Sequence, residues 1–368
     1  MSIYIQLVLL TLVLGVVMPQ KGPKRIYYII LMAALCTFVC GFRYQFLTGD
    51  LHKYYWNYFN CGSYDWFSPE LWANGRNFGF YYFNKIIYTL FGEEQQALLF
   101  AIALIIHVVL AVVIYRYSPA PWMSFLTWHC MALYLFGFSA IKQALAMAFV
   151  MLAFIAATER KPLGFLLAMA LAGSIHMPSL VFLPAYWMMG MRINGKTIIF
   201  YVILGLIFYI FRNQFLDFIR SFYFEDDEIF VYSGNVGSRF VMILGFALFG
   251  VLFKGFENQD FEHLFHLMAF AAILQIFSGY DNIFTRLADY YFQFSVLYLP
   301  MTYYSSEKKL QQSYLAPVFP FNKRSLKLLS IFICAFMLWF YWTFNINITI
   351  DYATDNYLNF RFMWDVLS

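Results

Sequence analysis

The sequence predicts an all-α polytopic integral membrane protein. Of its 368 residues, 62% are hydrophobic and only 12% are charged, and the mean hydropathy is +0.64. A soluble domain of ordinary composition is about 25% charged, so this chain has too few charges to cover a soluble surface. Long apolar runs separated by short polar breaks are the second observation. Together they exclude a cytosolic enzyme, a disordered protein and a secreted disulfide scaffold.

About twelve apolar runs are candidates for transmembrane helices, each of which needs about 20 residues to cross. In chain order they are approximately residues 2–18, 26–42, 97–115, 122–138, 140–157, 163–176, 177–190, 197–212, 238–254, 261–279, 287–304 and 326–345. The sixth and seventh runs are too short to cross straight, which predicts half-helices or one helix broken near Pro178.

Residues 78–92 form a further short apolar run with Asn84 and Lys85 at its centre. This pattern predicts an interfacial or re-entrant helix rather than a span. The chain has no Gly/Ser linker and no low-complexity tract. We therefore expect a single membrane domain over residues 1–368, with outer-face loops at 43–96 and 213–237 and a cytoplasmic loop at 305–325.

The positions of the basic residues predict which side of the membrane each loop lies on. The first apolar run precedes Lys21, Lys24 and Arg25, which predicts a first span with the N-terminus outside. Counting spans from there places every short Lys/Arg cluster inside and the acidic run 225–228 outside, as the positive-inside rule expects, provided that 78–92 does not cross. The C-terminus is then also outside.

Four polar groups fall at the outer ends of predicted spans, where charge is least costly. The first is Arg43 followed by Thr48, Gly49 and Asp50. An arginine at a helix end can bind phosphate or carboxylate through paired hydrogen bonds, and the turn-like sequence ends with a residue suited to capping a helix. The alternative is that Arg43 extends to the interface and Asp50 only caps.

The second group is Lys142 and Gln143, which begin a span rich in small residues. The alanines at 144, 146 and 148 allow neighbouring helices to approach closely, so these two side chains are expected to face a tight, partly polar space. The alternative is a lysine that reaches the interface without a functional role.

The third group centres on His176, just before Pro178 at the break between two short runs. Histidine can act as base, acid or donor near neutral pH, and a broken helix is tolerated where it lines a polar cavity. The alternative is a hydrogen-bonded packing histidine. In the fourth group, Arg286, Asp289 and Tyr290 have spacings that share one helix face. This pattern suits a structural ion pair or an arginine oriented toward an anion.

All four groups lie on the outer side under one topology. Three of the groups contain a cationic side chain, namely Arg43, Lys142 and Arg286. Three positive charges are suited to binding a pyrophosphate. Tyr54 and other aromatic residues of 54–82 can pack on sugar rings, although aromatic belts at membrane interfaces have the same composition.

In these residues the chain resembles the EpsG family of bacterial polysaccharide polymerases, a Wzy-type group. The resemblance covers most of 26–304 and is carried by Arg43 with Thr48-Gly49-Asp50 and Tyr54, by Lys142-Gln143, by His176, and by Arg286-Leu287 with Tyr290-Tyr291. The family's Thr and Gly order is reversed here, and Lys142 stands where the family has arginine, which keeps the charge but loses the planar fork.

The resemblance implies a metal-independent membrane glycosyltransferase of the bacterial plasma membrane, related to the large GT-C-like folds. It would polymerise undecaprenyl-diphosphate-linked oligosaccharide repeat units into O-antigen, capsule or exopolysaccharide at the outer face. Undecaprenyl diphosphate is the leaving group. The expected partners are this lipid-linked substrate, the bilayer, a flippase and a chain-length regulator; neither nucleic acid nor a cofactor is expected.

We hypothesise direct displacement at the anomeric carbon. The three cations would stabilise the diphosphate, and His176 or Asp50 would accept the proton of the acceptor hydroxyl. Gln143 and Tyr290 would position sugar or phosphate oxygens, with Asp289 and Tyr54 completing the binding set. The alternatives are a flippase or transporter of lipid-linked sugar, a membrane O-acyltransferase and an O-antigen ligase.

Overall fold

A computed structural model describes residues 3–47, 49–73, 77–215, 238–254, 259–279, 282–304, 323–340, 342–343 and 360–366. In these ranges the chain forms helices and no β-strand, which confirms the all-α prediction. Thr48, the acidic run 225–228 and nearly all of the loop 305–325 lie outside the described residues, as does the side chain of Asp50.

The chain divides into two compact units, Met1–Leu180 with Asn322–Ser368, and Val181–Phe321. The expectation of a single membrane domain stays a prediction. The first unit contains α1 (Ile3–Val17), α2 (Arg25–Gly41), α3 (Gly49–Ser63), α4 (Pro69–Ala73), α5 (Phe78–Phe91), α6 (Gln95–Tyr117), α7 (Pro121–Cys130), α8 (Ile141–Thr158), α9 (Pro162–Ile175) and, near the C-terminus, Lys323–Phe340.

The second unit contains α10 (Ala185–Met188), α11 (Gly195–Ile210), α12 (Ser238–Lys254), α13 (Gln259–Gln275), α14 (Asn282–Phe292) and α15 (Ser295–Tyr304). We label the later helix Lys323–Phe340 of the first unit α16. Short 3₁₀ segments follow α7, α9 and α13, at Leu133–Gly137, Met177–Phe182 and Ile276–Gly279.

Two helices are long and apolar enough to cross a membrane by length and composition, α6 and α8. Six further apolar helical segments of 10–17 residues lie in predicted spans: Ile3–Val17, Arg25–Gly41, Pro162–Ile175, Gly195–Ile210, Arg239–Gly250 and Ile331–Phe340. The number of twelve spans therefore stays a prediction. The run 78–92 forms the single helix α5, and whether it is interfacial or re-entrant is likewise a prediction.

Several predicted runs are not continuous α-helices in the part of the chain that the structure describes; the run 261–279, for example, ends in the 3₁₀ segment Ile276–Gly279. The run 122–138 breaks after α7, where Ala132 takes a left-handed conformation (φ 60°) before a 3₁₀ turn. The run 177–190 forms a 3₁₀ segment and the short α10, which agrees with the break expected near Pro178. The run 287–304 is divided between α14 and α15. Periodicity of apolar residues does not predict the breaks in 122–138 and 287–304, because residues on both sides of these two breaks are buried.

Antiparallel pairing organises the first unit. Helix α2 packs along α6, and at one end Gln96 Nε2 donates to the carbonyls of Gly41 and, at 3.2 Å, of Arg43. At the other end Arg25 Nη1 donates to Ser118 O at 3.1 Å. Helices α8 and α9 pack as a hairpin joined by residues 159–161, and α6 packs against α8.

Helix α5 reaches this bundle through a glycine. A Cβ added at Gly79 would lie 2.2 Å from Ser174 Oγ and 2.9 Å from the Ser174 carbonyl carbon. No side chain fits there, so glycine is what allows α5 to contact the C-terminal end of α9. The helices α3 and α5 also pack together.

The Gly79 contact can be tested by substitution. We expect Gly79→Ala to lower the free energy of unfolding by about 2 kcal/mol, because the added methyl forces α5 away from the backbone of α9. Thermal unfolding in detergent measures the loss. The matched control is Gly164→Ala on α9, whose Cβ would meet only Ala156 and Lys161 at ordinary distances and should leave stability equal or slightly higher. Equal melting temperatures for the two variants would contradict the close approach.

Candidate functional site

Several helix ends meet at one end of the first unit. Helix α2 ends there at Gly41, α6 begins at Gln95, α8 begins at Ile141 and α9 ends at Ile175. The hydrogen bond from Gln96 to Gly41 joins the first two ends, and the α8–α9 hairpin brings the other two to one side. Helix ends carry backbone groups without intrahelical partners, so polar side chains collect at this end.

Arg43 occupies the position just after α2. Its side chain is 1% exposed, and the guanidinium lies over the ring of Phe138 at 5.3 Å from the centroid. Nη1 donates to the carbonyl oxygen of Cys40, the residue one turn earlier. Within the described residues, Nε and Nη2 have no hydrogen-bond acceptor.

These two nitrogens form one edge of the guanidinium, the edge that binds two oxygens of a carboxylate or phosphate side by side. A buried charge without partners costs several kcal/mol, whereas an anion placed at this edge would supply both acceptors. An anion site at Arg43 stays a prediction; what the described residues show is a buried guanidinium with an unpaired Nε–Nη2 edge.

Lys142 lies in an aromatic cage. Its ammonium is 5.2 Å from the ring centroid of Phe80, 5.3 Å from that of Tyr81 and 5.5 Å from that of Tyr54. Cations placed over aromatic faces are stabilised by about 0.5–2 kcal/mol. The cage holds the charge in place and joins α8 to α3 and α5, so Tyr54 and Lys142 from the predicted set are brought into contact.

Gln143 and the small residues after it are buried beside Lys142. Gln143 is 2% exposed, and Ala144, Ala146 and Ala148 are also buried. The alanines pack α8 closely against its neighbours, as expected for small residues at helix interfaces.

His176 caps the C-terminal end of α9 in an extended conformation (φ −148°, ψ 99°) and is half-buried. Its backbone N–H closes the helix on Ala172 O at 2.9 Å, and its carbonyl accepts from Ser179 N at 2.9 Å. The histidine thus stands at the predicted break. Ser174, two residues earlier, is the residue that Gly79 of α5 contacts.

Contacts therefore link the three predicted groups of the first unit. Arg43 lies on Phe138, which precedes α8; Lys142 on α8 lies among rings of α3 and α5; and α5 contacts the end of α9 that carries His176. Asp50 lies in the first turn of α3, the helix that supplies Tyr54 to the cage.

Asn84 of α5 is a polar residue near this site to which the sequence analysis assigned no function. It is fully buried, and neither Nδ2 nor Oδ1 has a hydrogen-bond partner of ordinary geometry among the described residues. Its amide lies beside the Cys61 thiol. Burial raises the pKa of that thiol to about 11, while Asn84, Lys85 and Lys142 oppose the rise. The signal in the sequence is Asn84 next to Lys85 at the centre of an otherwise apolar run.

The fourth predicted group belongs to the second unit. Asp289 is fully buried and forms an ion pair with Arg239 of α12, whose guanidinium lies 5.1 Å from the ring centroid of Phe292. Arg286 is exposed and Tyr290 is buried, so the three predicted residues differ in their surroundings. The sequence pattern did not reveal Arg239 as a partner of Asp289, because the two residues are far apart in the chain.

Comparison with known proteins gives one family match. The model of the EpsG family matches residues 26–362, nearly the whole chain. No curated protein and no solved structure matches.

Whether the buried Asn84 amide has hydrogen-bond partners can be tested by measuring the stability of a variant. Asn84→Leu has a similar volume and removes a buried amide that lacks partners, so we expect the free energy of unfolding to rise by about 1 kcal/mol. Asn60→Leu on the exposed side of α3 is the control and should change it little. A clear loss of stability for Asn84→Leu in thermal unfolding would show that the amide is already satisfied.

Proposed function

Because this chain belongs to the EpsG family, whose members are Wzy-type polysaccharide polymerases, we propose that it joins undecaprenyl-diphosphate-linked oligosaccharide repeat units. The product would be O-antigen, capsule or exopolysaccharide, made at the outer face of the bacterial plasma membrane. EpsG family members are membrane proteins, and helices α6 and α8 are long and apolar enough to cross.

The observation that carries the proposal is the free edge of the Arg43 guanidinium. The side chain is 1% exposed, and its Nε and Nη2 have no acceptor among the described residues. A diphosphate supplies paired oxygens and gains negative charge as it leaves. Donors fixed in a site that excludes water stabilise such developing charge strongly, and loss of one such donor commonly costs about 10²–10³ in rate.

The proposed reaction is a displacement at the anomeric carbon of the growing chain. A hydroxyl oxygen on the sugar of the next repeat unit forms the new glycosidic bond. The bond from the anomeric carbon to the diphosphate breaks, and undecaprenyl diphosphate leaves with the electron pair. Arg43 binds the leaving diphosphate, and the caged ammonium of Lys142 adds positive charge nearby.

The proton of the attacking hydroxyl needs an acceptor. We assign this role to His176, because a neutral imidazole can accept a proton and this residue is half-buried at a helix end linked by contacts to the cage. Asp50 remains the rival base. Three assignments stay predictions from the sequence: Gln143 and Tyr290 position sugar or phosphate oxygens, Arg286 stabilises the leaving diphosphate, and Asp289 belongs to the binding set.

Arg43 is tested by substitution in cells that lack the native gene. Arg43→Ala should abolish long polymer and leave single repeat units, because the diphosphate loses its bidentate partner; Arg43→Lys should retain short chains, because it keeps charge without the fork. Gel analysis of surface polysaccharide reads both. Arg116→Ala is the matched control, since Arg116 is exposed at the other end of α6 and pairs with Glu159 at 2.9 Å. A normal ladder from well-expressed Arg43→Ala would refute the assignment.

The two candidate bases are separated by pH profiles of polymerisation in membrane vesicles. A histidine base must be neutral to accept a proton, so the wild-type kcat/KM should fall on the acidic side of its optimum. His176→Ala should be slower and lose this acidic limb, whereas Asp50→Asn should retain it. The opposite pattern would assign the base to Asp50.

A further inference from the structure

A short segment near the C-terminus lies against Arg43. We call Phe360–Asp365 the C-terminal strap. Arg43 and Phe362 form an antiparallel β-bridge. Tyr44 N donates to Arg361 O at 2.8 Å, and Met363 N donates to Phe42 O at 3.0 Å. These bonds flank Arg43 on both sides and fix its backbone beyond the end of α2.

The pairing also sets where the side chains lie. The hydrogen bonds join the neighbours of Arg43 and Phe362 rather than these two residues themselves. This is the non-hydrogen-bonded type of antiparallel pair, in which the two opposed side chains lie close together on one side. The rings of Phe360 and Phe362 are 4.8 Å apart, and those of Phe362 and Trp364 are 4.6 Å apart. Outside the strap, Phe362 and Trp364 contact Phe38 and Trp364 also contacts Phe42, so the strap presents a row of aromatic rings along the end of α2.

This row supports the ring beneath the guanidinium. Phe138, on which Arg43 lies, contacts Phe360 edge to face with centroids 6.3 Å apart. Tyr4 contacts both Phe138 at 5.6 Å and Phe360 at 6.0 Å. Two contacts of the strap therefore fix the Arg43 guanidinium. The hydrogen bonds to Phe42 and Tyr44 fix the backbone on either side of Arg43, and the contact of Phe360 with Phe138 fixes the ring on which the guanidinium lies.

We propose that the C-terminal strap positions Arg43 for its anion, with Phe360 and Phe362 as positioning residues for the reaction. This inference rests on the proposed function, because it requires that Arg43 bind the leaving diphosphate. The physical reason is preorganisation. An arginine at a helix end samples many rotamers unless its surroundings fix it, and a donor fixed before the reaction does not have to reorganise as charge develops.

The sharpest test compares two substitutions at one position. Met363→Ala keeps the backbone N–H that donates to Phe42 O, and its side chain is exposed. Met363→Pro removes this donor but suits the first position of the 3₁₀ turn Met363–Val366. Polymerisation of supplied lipid-linked repeat units is measured in membrane vesicles. We expect Met363→Ala to match the wild type and Met363→Pro to lose about 10-fold or more in kcat/KM.

A double-mutant cycle then separates positioning from a general structural role. If the strap acts through the Arg43 fork, Met363→Pro should cost far less in the Arg43→Lys background than in the wild type. The same fold-loss in both backgrounds would overturn the proposal. If Met363→Pro does not accumulate in the membrane, Phe362→Ala and Phe362→Tyr replace it, with loss of activity expected for the first and recovery for the aromatic variant. Equal activity of these two would also overturn it.

Failure of the strap and failure of the proposed function give different results. If Arg43→Ala is inactive while Met363→Pro is as active as Met363→Ala, only the strap proposal falls. If Arg43→Ala polymerises normally, Arg43 does not bind the leaving group, and both proposals fall.

Discussion

The three polar groups of the first unit lie where helices end, because a charge at membrane depth costs several kcal/mol and helix ends already carry unpaired backbone groups. Antiparallel pairing turns this local rule into a site. The pairing of α2 with α6 and of α8 with α9 brings four helix ends to one end of the first unit. Arg43, Lys142 and His176 come from distant parts of the chain, yet each stands at one of these ends or just beyond it.

Some buried polar side-chain atoms at this end of the first unit have no hydrogen-bond partner among the described residues. Arg43 and Asn84 are almost fully buried, and both keep polar atoms without partners among the described residues. Unpaired buried groups lower stability by about 1–3 kcal/mol each, and by more when charged. Residues that lower stability in this way are typical of functional sites, where a ligand supplies the absent partner. The caged Lys142 differs, because three aromatic rings already stabilise its charge.

Aromatic residues act as structural supports as well as apolar filling. Rings from α3 and α5 surround Lys142, and Phe138 lies beneath Arg43. The C-terminal strap adds a row of rings beside Arg43, although hundreds of residues separate the two in sequence. The high aromatic content, which the sequence analysis related to sugar binding or to membrane belts, thus includes rings that hold the two cations of this site.

The sequence by itself determined the all-helical class, the family, and the residue types at the site, because apolar runs and the order of short polar motifs are local properties. It also located the break near Pro178, since a proline between two runs too short to cross removes a backbone donor and favours a break there. Only the tertiary structure revealed which groups meet. The partner of Asp289 is Arg239, Asn84 joins the site of Lys142, and Phe362 pairs with Arg43. Such contacts depend on how helices pack, and the spacing of residues along one helix carries no information about the helix that lies against it.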